Sequence, residues 1–405
     1  MKKRRKESKD SESAKPDIPS RPWYKNTMAI FALVSALVAS VSGLIALVQR
    51  LEPTKIPQNT MIVLDRSAVM NEPFERSTKL DAATSALENV LQTQVAGEDN
   101  LALRQFGGSC DGENSQIVVR FRQHNEGRVR DAVQTLQADG ETTLTSAVIE
   151  AIGDFNDTKR FGGPGINKRI IVITGGSDSC LRDDDPATYI RNRLEPLGSQ
   201  AGIKVNFRFI GIALKPEQRE QLRKIAELTG GLAEEQVEDQ LFFVNSQEEL
   251  EEALRNVIEV EPVLTNIKTT TEIMNNVTDQ INIVGSAINS RDYDAAEEGL
   301  KAARNEIDTT RPLLEDLGQR LSIQRFQEQF QKLYELVTAN RDLQDQQLKL
   351  LETAISQGKS GADEALDETI QEFNEVTATF NSNIREVDRI TEEIVSQLRE
   401  AHTPP

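Results

Sequence analysis

Met61-Ile-Val-Leu-Asp65-Arg-Ser67-Ala-Val69-Met70 is an apolar run that stops abruptly on a carboxylate and a hydroxyl. Consecutive apolar residues bounded by polar ones read as a strand buried on both faces, the form strands take in parallel sheets. Open α/β sheets place their ligands outside the carboxyl ends of the strands. Asp65 and Ser67 therefore fall where a ligand site is expected. Oxygen donors there suit a hard cation such as Mg²⁺ or Ca²⁺, which take oxygen ligands.

Downstream, strand and helix patterns alternate. Residues 79–95 carry a helical stripe of Leu80, Ala83, Leu87, Val90 and Leu91. Residues 100–106 and 116–121 read as strands joined by a glycine-rich turn. Short helices are expected over 129–136 and 143–155. The continuous apolar run at 169–174 has the character of a central strand. A helix over 186–197, a strand over 204–213, a helix over 216–228, a strand over 241–245 and a helix over 247–258 complete the pattern. Such alternation predicts a doubly wound, mostly parallel α/β domain spanning 59–260.

Upstream, residues 1–26 form a polar tail with nine Lys/Arg against four Asp/Glu. Residues 27–48 hold no charge and are long enough to span a bilayer as one helix. Trp23 and Tyr24 stand at the position of interfacial aromatics. The basic excess on the N-terminal side predicts a cytoplasmic tail and an extracytoplasmic body. The alternative, a cleaved signal peptide, meets a long basic tail and an apolar run that continues past Ala39-Ser-Val-Ser-Gly43. Residues 49–58, with Pro53 and Pro57, form a linker.

The chain of 405 residues has a net charge of −18. The tail and Arg50 together contribute +6, so residues 51–405 net −24. A body this acidic repels phosphate backbones, which argues against nucleic-acid binding. Two cysteines and two histidines cannot build a Cys/His zinc framework. His124 and His402 lie apart from every motif, no phosphate cradle is present, and Gly358-Lys-Ser360 lacks the spacing of a phosphate loop. Asp183-Asp-Asp185 reads as a solvated loop, with Ca²⁺ binding as the lesser alternative.

From residue 261 the pattern changes to steps of three and four, through Ile267, Thr270, Met274, Val277, Ile281, Val284 and Ile288. A break at Asn289-Ser290 precedes Asp292 as a helix cap. A second stripe runs from Ala296 to Leu321, with Pro312 kinking or restarting that helix. A third opens at Phe326 and drifts to Leu336, Leu343 and Leu350. A loop at Gly358–Gly361 precedes the most regular seam, from Leu366 through Phe373, Phe380 and Val387 to Leu398. Residues 261–402 are thus expected to be all-α. An antiparallel bundle within one chain is favoured by the short connections, with homo-oligomerisation as a coiled coil the alternative.

The α/β segment resembles a von Willebrand factor A (VWA) domain of the bacterial extracytoplasmic kind. Asp65-Arg-Ser67-Ala-Val69-Met70 resembles the family's Asp-x-Ser-x-Ser-Met loop. Asp139-Gly-Glu-Thr142-Thr-Leu144 resembles its threonine-bearing loop. Ile173-Thr174-Gly175-Gly176-Ser-Asp178-Ser-Cys180 resembles its Thr/Ser-Asp-Gly strand end, and Arg104-Gln-Phe-Gly107-Gly-Ser-Cys110-Asp111 its glycine-rich, cysteine-bearing loop. The resemblance implies a metal-ion-dependent adhesion site, with Asp65, Ser67 and Thr142 as metal ligands. Val69 stands in place of the second serine and Gly175 in place of the loop aspartate, so the expected site is degenerate, unless Asp111 or Asp178 compensates. The same resemblance sets Cys110 and Cys180 on one rim, where an oxidising compartment favours a Cys110–Cys180 disulfide over two buried thiols. The expected function is a membrane-anchored, extracytoplasmic protein–protein interaction module binding a protein partner, and not an enzyme. An envelope-associated enzyme or enzyme subunit is the alternative.

Overall fold

The computed structural model describes residues 58–93, 99–111, 114–156, 167–180, 205–230, 237–321 and 325–400. The apolar segment 27–48, the helix expected over 186–197 and the acidic run 183–185 lie outside the described residues. Among the described residues no helix is long and apolar enough to cross a membrane.

The opening stretch forms β1 (Gln58–Asp65), and every residue of it is buried. Ile62 and Leu64 point to one face of the sheet and Met61 and Val63 to the other, as the two-residue period of a strand requires. Around β1, strands β4 (Asn100–Phe106), β5 (Ser115–Gln123), β6 (Asn167–Thr174), β7 (Asn206–Ile212) and β8 (Leu241–Val244) are ordered β5-β4-β1-β6-β7-β8. All neighbours pair in parallel except the edge strand β5, which is antiparallel to β4. A two-stranded hairpin, β2 (Pro73–Phe74) and β3 (Ser77–Thr78), follows β1.

Helices α1 (Lys79–Thr93), α2 (Glu126–Val133) and α5 (Gln247–Arg255) cover one face, with Leu87, Val129 and Leu250 packed on Ile62 and Leu103. Helices α3 (Leu144–Asn156) and α4 (Pro216–Gly230) cover the other, with Val148, Phe155 and Ile225 against Met61 and Phe207. The sheet order reverses direction between β1 and β6, so their carboxyl ends flank the crevice where such folds bind ligands.

The expected change of architecture after residue 260 occurs without a break in the chain. Helix α5, capped by Ser246 Oγ accepting the Glu249 N–H at 3.2 Å, passes through a π-helical turn, Asn256–Val260, directly into α6 (Glu261–Asn289). Pro262 supplies a physical reason. It has no N–H to give to the carbonyl four residues back and its ring crowds that carbonyl, whereas a wider turn spans the gap, with Glu261 N–H bonding to Asn256 O.

Helix α6 pairs with α7 (Tyr293–Ile307), whose cap is Asp292, accepting the Ala295 N–H at 3.1 Å. Helix α8 (Thr310–Gln319) restarts the chain with Pro312 in its first turn. Helices α9 (Gln327–Ser360) and α10 (Asp363–Glu400) form a second long antiparallel hairpin. Where a loop was expected at Gly358–Gly361, α9 continues to Ser360 and the turn is confined to Gly361, in a left-handed conformation at φ 74°, and Ala362. The interior stripe of α9 also differs from expectation. Leu343 and Leu350 are half-buried, while Asn340, Gln344 and Gln347 are buried. Gln344 Nε2 donates to Met274 O at 2.7 Å and Gln347 Nε2 to Thr377 Oγ1 at 2.8 Å, so the amides serve as cross-helix ties.

The helical segment docks against the amino ends of the strands, opposite Asp65. Arg320, next to α8, grips Asp99 with both guanidinium nitrogens at 2.9 and 3.1 Å and takes Asp316 at 2.8 Å through Nε. Asp99 Oδ1 also accepts the Gln58 N–H at the start of β1. Arg208 bonds Glu261 at 2.6 Å and Arg169 donates to Val257 O at 2.7 Å. Arg320 is 6% exposed, so replacing it leaves the buried Asp99 carboxylate without its counter-ion and removes a partner of the half-buried Asp316. Arg320→Ala is expected to cost about 3–5 kcal/mol, as other broken buried ion pairs do, read from urea unfolding.

Glu259, in the π-helical turn, is buried with Oε1 lacking a hydrogen-bond partner. Burial pushes its carboxyl up, against a smaller opposing pull from Arg255. With a folded-state pKa above the unfolded one, ionisation penalises folding as pH rises through that window, and the penalty is absent below it. Glu259→Gln is therefore expected to raise the thermal unfolding midpoint at pH 8 but not at pH 4.

Candidate functional site

Four loops meet at the carboxyl ends of β1, β4 and β6. The first follows β1 and contains Arg66 to Asn71, with a single 3-10 turn over Ala68–Asn71. The second leaves β4 through Gly107 and Gly108. The third, residues 139–143, leads into α3. The fourth, Gly175 to Cys180, follows β6. Backbone hydrogen bonds lace them together: Arg66 N–H to Phe106 O at 2.7 Å, Asp139 N–H to Arg66 O at 2.7 Å, Ala68 N–H to Gly140 O at 2.8 Å, and Ser179 N–H to Thr142 O at 2.9 Å. Gly107 and Gly140 permit this approach. Both have positive φ, and a Cβ on Gly107 would lie 2.6 Å from Ser67 N, one on Gly140 2.5 Å from Gly108 Cα.

The three residues expected as ligands are close together. Ser67 Oγ and Thr142 Oγ1 are 2.8 Å apart and bonded to each other. Asp65 is fully buried. Its Oδ1 accepts the Ser67 N–H at 2.8 Å, while Oδ2 accepts from Thr174 Oγ1 at 2.8 Å and from the Gly175 N–H at 3.3 Å. Burial pushes this carboxyl up from its ordinary value, and the bonds from Ser67, Thr174 and Gly175 pull against that shift. Thr174, part of the strand-end motif but given no role by it, thus ties the end of β6 to the end of β1 through its side chain.

Asp111 and Asp178 take other roles. Asp178 Oδ2 accepts the Thr145 N–H at 2.7 Å, in the first turn of α3, and Oδ1 accepts the Cys180 N–H at 2.9 Å. Both oxygens thus hold backbone, in the manner of a helix cap. Asp111 is exposed on the outer loop. Among the described residues no group of three or more His, Cys, Asp or Glu is gathered where it could hold a metal ion. Val69 is half-buried, and a Cβ built on Gly176 would lie 2.9 Å from its Cγ2, so its side chain packs into the loop cluster.

Lys79, at the start of α1, also reaches these loops and was not recognised in the sequence. Its Nζ donates to Gly175 O at 2.8 Å and to Glu72 Oε2 at 2.7 Å. Cys110 and Cys180 form a disulfide that joins the second loop to the fourth. The rim exposes Ala68, Asn71, Glu72, Ser109, Asp111, Asp139, Glu141 and Ser179 to solvent, with Arg66 and Val69 half-covered.

Residues 60–177 match the family model of the von Willebrand factor type A domain, and the chain carries a VWA domain there. Among solved structures, it is similar to a von Willebrand factor type A protein from Catenulispora acidiphila, at 20% identity over 50% of this chain and 42% of that one, with a TM-score of 0.38. It is similar to the pilus adhesin SpaC from Lactobacillus rhamnosus GG at 13% identity, over 50% of this chain and 30% of that one, with a TM-score of 0.38. An aerotolerance-related membrane protein from Bacteroides fragilis matches at 14% identity over 50% of this chain and 98% of its own, with a TM-score of 0.35. The chain thus spans less than half the length of the first of these. No curated protein matches the sequence.

The disulfide closes a segment with a sequence separation of 70, for which the chain-entropy relation gives at most about 4 kcal/mol. Cys110→Ser with Cys180→Ser is expected to lower the urea midpoint by a corresponding amount, and dithiothreitol to lower the wild type to the same level.

Proposed function

We propose that this protein is a protein-interaction module whose contact surface is the loop rim around Asp65, Ser67 and Thr142, and that it binds its partner without a divalent cation. The state of Asp65 carries this reading. Mg²⁺ prefers an octahedral set of oxygens and is held chiefly by carboxylates. The 2.8 Å between Ser67 Oγ and Thr142 Oγ1 suits adjacent corners of such an octahedron. The charge does not fit, however. Asp65 is buried with both oxygens engaged by protein donors, Asp178 is held by backbone amides, and Val69 and Gly175 contribute no oxygen from their side chains. The donor set present is a pair of neutral hydroxyls, which suits a hydrogen-bonded contact surface better than an ion site.

On this reading residues 27–48 anchor the chain in a membrane, residues 51–405 face outward, and the disulfide is formed in that compartment. The helical segment, docked at the amino ends of the strands by Arg320, spaces or self-associates while the rim stays free for a partner. The module performs no catalysis.

Chemical crosslinking of the full chain in its native membrane, followed by affinity capture, tests this. The same partner is expected with Mg²⁺ and with EDTA. Ala68→Arg, a change at an exposed rim position, is expected to reduce capture at least tenfold while leaving the melting temperature unchanged. Capture that disappears in EDTA, or is indifferent to Ala68→Arg, refutes the proposal.

A further inference from the structure

A buried lysine stands at the mouth of the loop cluster. Lys79 is 2% exposed, and lysine is almost never fully buried unless its charge is paired. It is also the first residue of α1, where the helix dipole disfavours a cation. Two local preferences are therefore violated at one position, and the compensation lies in what Nζ touches. Glu72 Oε2 is 2.7 Å away and Gly175 O 2.8 Å away. The Lys79 N–H also bonds to Glu72 O at 3.1 Å, so Glu72 and Lys79 are clamped twice across the β2–β3 hairpin. The Glu72 side chain is half-exposed and closes the ammonium from solvent.

Gly175 connects this ammonium to the centre of the cluster. Its N–H donates to Asp65 Oδ2 at 3.3 Å and its carbonyl accepts from Lys79 Nζ. A Cβ at residue 175 would lie 2.6 Å from Met70 Sδ and 2.9 Å from Lys79 Cδ. The stem of Lys79 and the Met70 thioether thus fill the space in which an acidic side chain at this position would begin. We propose that the Lys79 ammonium is the resident cation of the loop cluster, taking the place of the divalent ion that the fold family implies. Its charge repels an incoming cation, its stem fills the place of the missing acid, and Glu72 is its counter-ion. This deepens the metal-free reading above by assigning a residue to it. It also means that restoring the donors alone does not restore a metal site, because a new carboxylate at 175 pairs with Lys79 rather than with Mg²⁺.

Calorimetric titration of the solubilised full chain with Mg²⁺ and with Mn²⁺ tests the assignment. No binding is expected for the wild type or for Val69→Ser with Gly175→Asp. Adding Lys79→Met to that pair is expected to produce measurable binding, at least tenfold above the detection limit that the double variant fails to reach. Binding of Mg²⁺ by the wild type overturns both this inference and the metal-free reading. Equal binding by the double and triple variants, or none by a triple variant that retains the wild-type circular dichroism, overturns the role of Lys79 alone. Independently of any metal, ¹⁵N-lysine spectra of the wild type are expected to show one slowly exchanging ammonium resonance at neutral pH, absent in Lys79→Arg and weakened in Glu72→Gln. Absence of a protected ammonium in the wild type overturns the inference as well.

Discussion

The carboxylate of Asp65 holds the ends of β1 and β6 together. A fully buried carboxylate is tolerable only when its lone pairs are met, and here Ser67, Thr174 and Gly175 supply the donors. Ser67 in turn bonds Thr142, and Gly175 receives Lys79. One buried carboxyl group thus ties loops from three parts of the sequence at the point where the sheet order reverses. The disulfide and the inter-loop backbone bonds reinforce an arrangement that this group organises.

At the amino ends of the strands the same logic holds for a buried cation. Arg320 is a buried cation whose own burial disfavours its charge, and Asp99 and Asp316 more than offset this, so its guanidinium is held above its ordinary range. Asp99 stands at the start of β4 and also accepts from the start of β1. The uninterrupted passage from α5 into α6 makes a second connection at these ends, and Arg169 and Arg208 add a third. Among the described residues the exposed rim lies at the other ends of the strands from these ties, which is where the proposed contact surface falls.

The two long hairpins of the helical segment were legible because apolar residues at three- and four-residue steps have one physical use in water, the burial of a common face. The register of α9 was less so. Asn340, Gln344 and Gln347 face inward while Leu343 and Leu350 lie half-covered. Cross-helix bonds from Gln344 to Met274 O and from Gln347 to Thr377 tip that balance, and such partners are invisible until the helices are placed side by side.

By itself the sequence determined the alternation of elements, the burial of β1 and the order of the loops. Each of these follows from local pattern, because hydrophobic period and strand-end chemistry act over a few residues. Val69 and Gly175 stood out only through the family resemblance. The pairing of Cys110 with Cys180 was expected from a shared rim together with an oxidising compartment, and the fold brings the two together. The fate of each charge was decided by tertiary structure alone. Whether Asp65 faces solvent or internal donors, whether Asp178 meets an ion or caps α3, and whether Lys79 is a surface residue or a buried cation all depend on groups tens of residues away. Electrostatic energy in a desolvated site is set by such neighbours rather than by sequence position, so the chemistry of the rim appears only once the chain is folded.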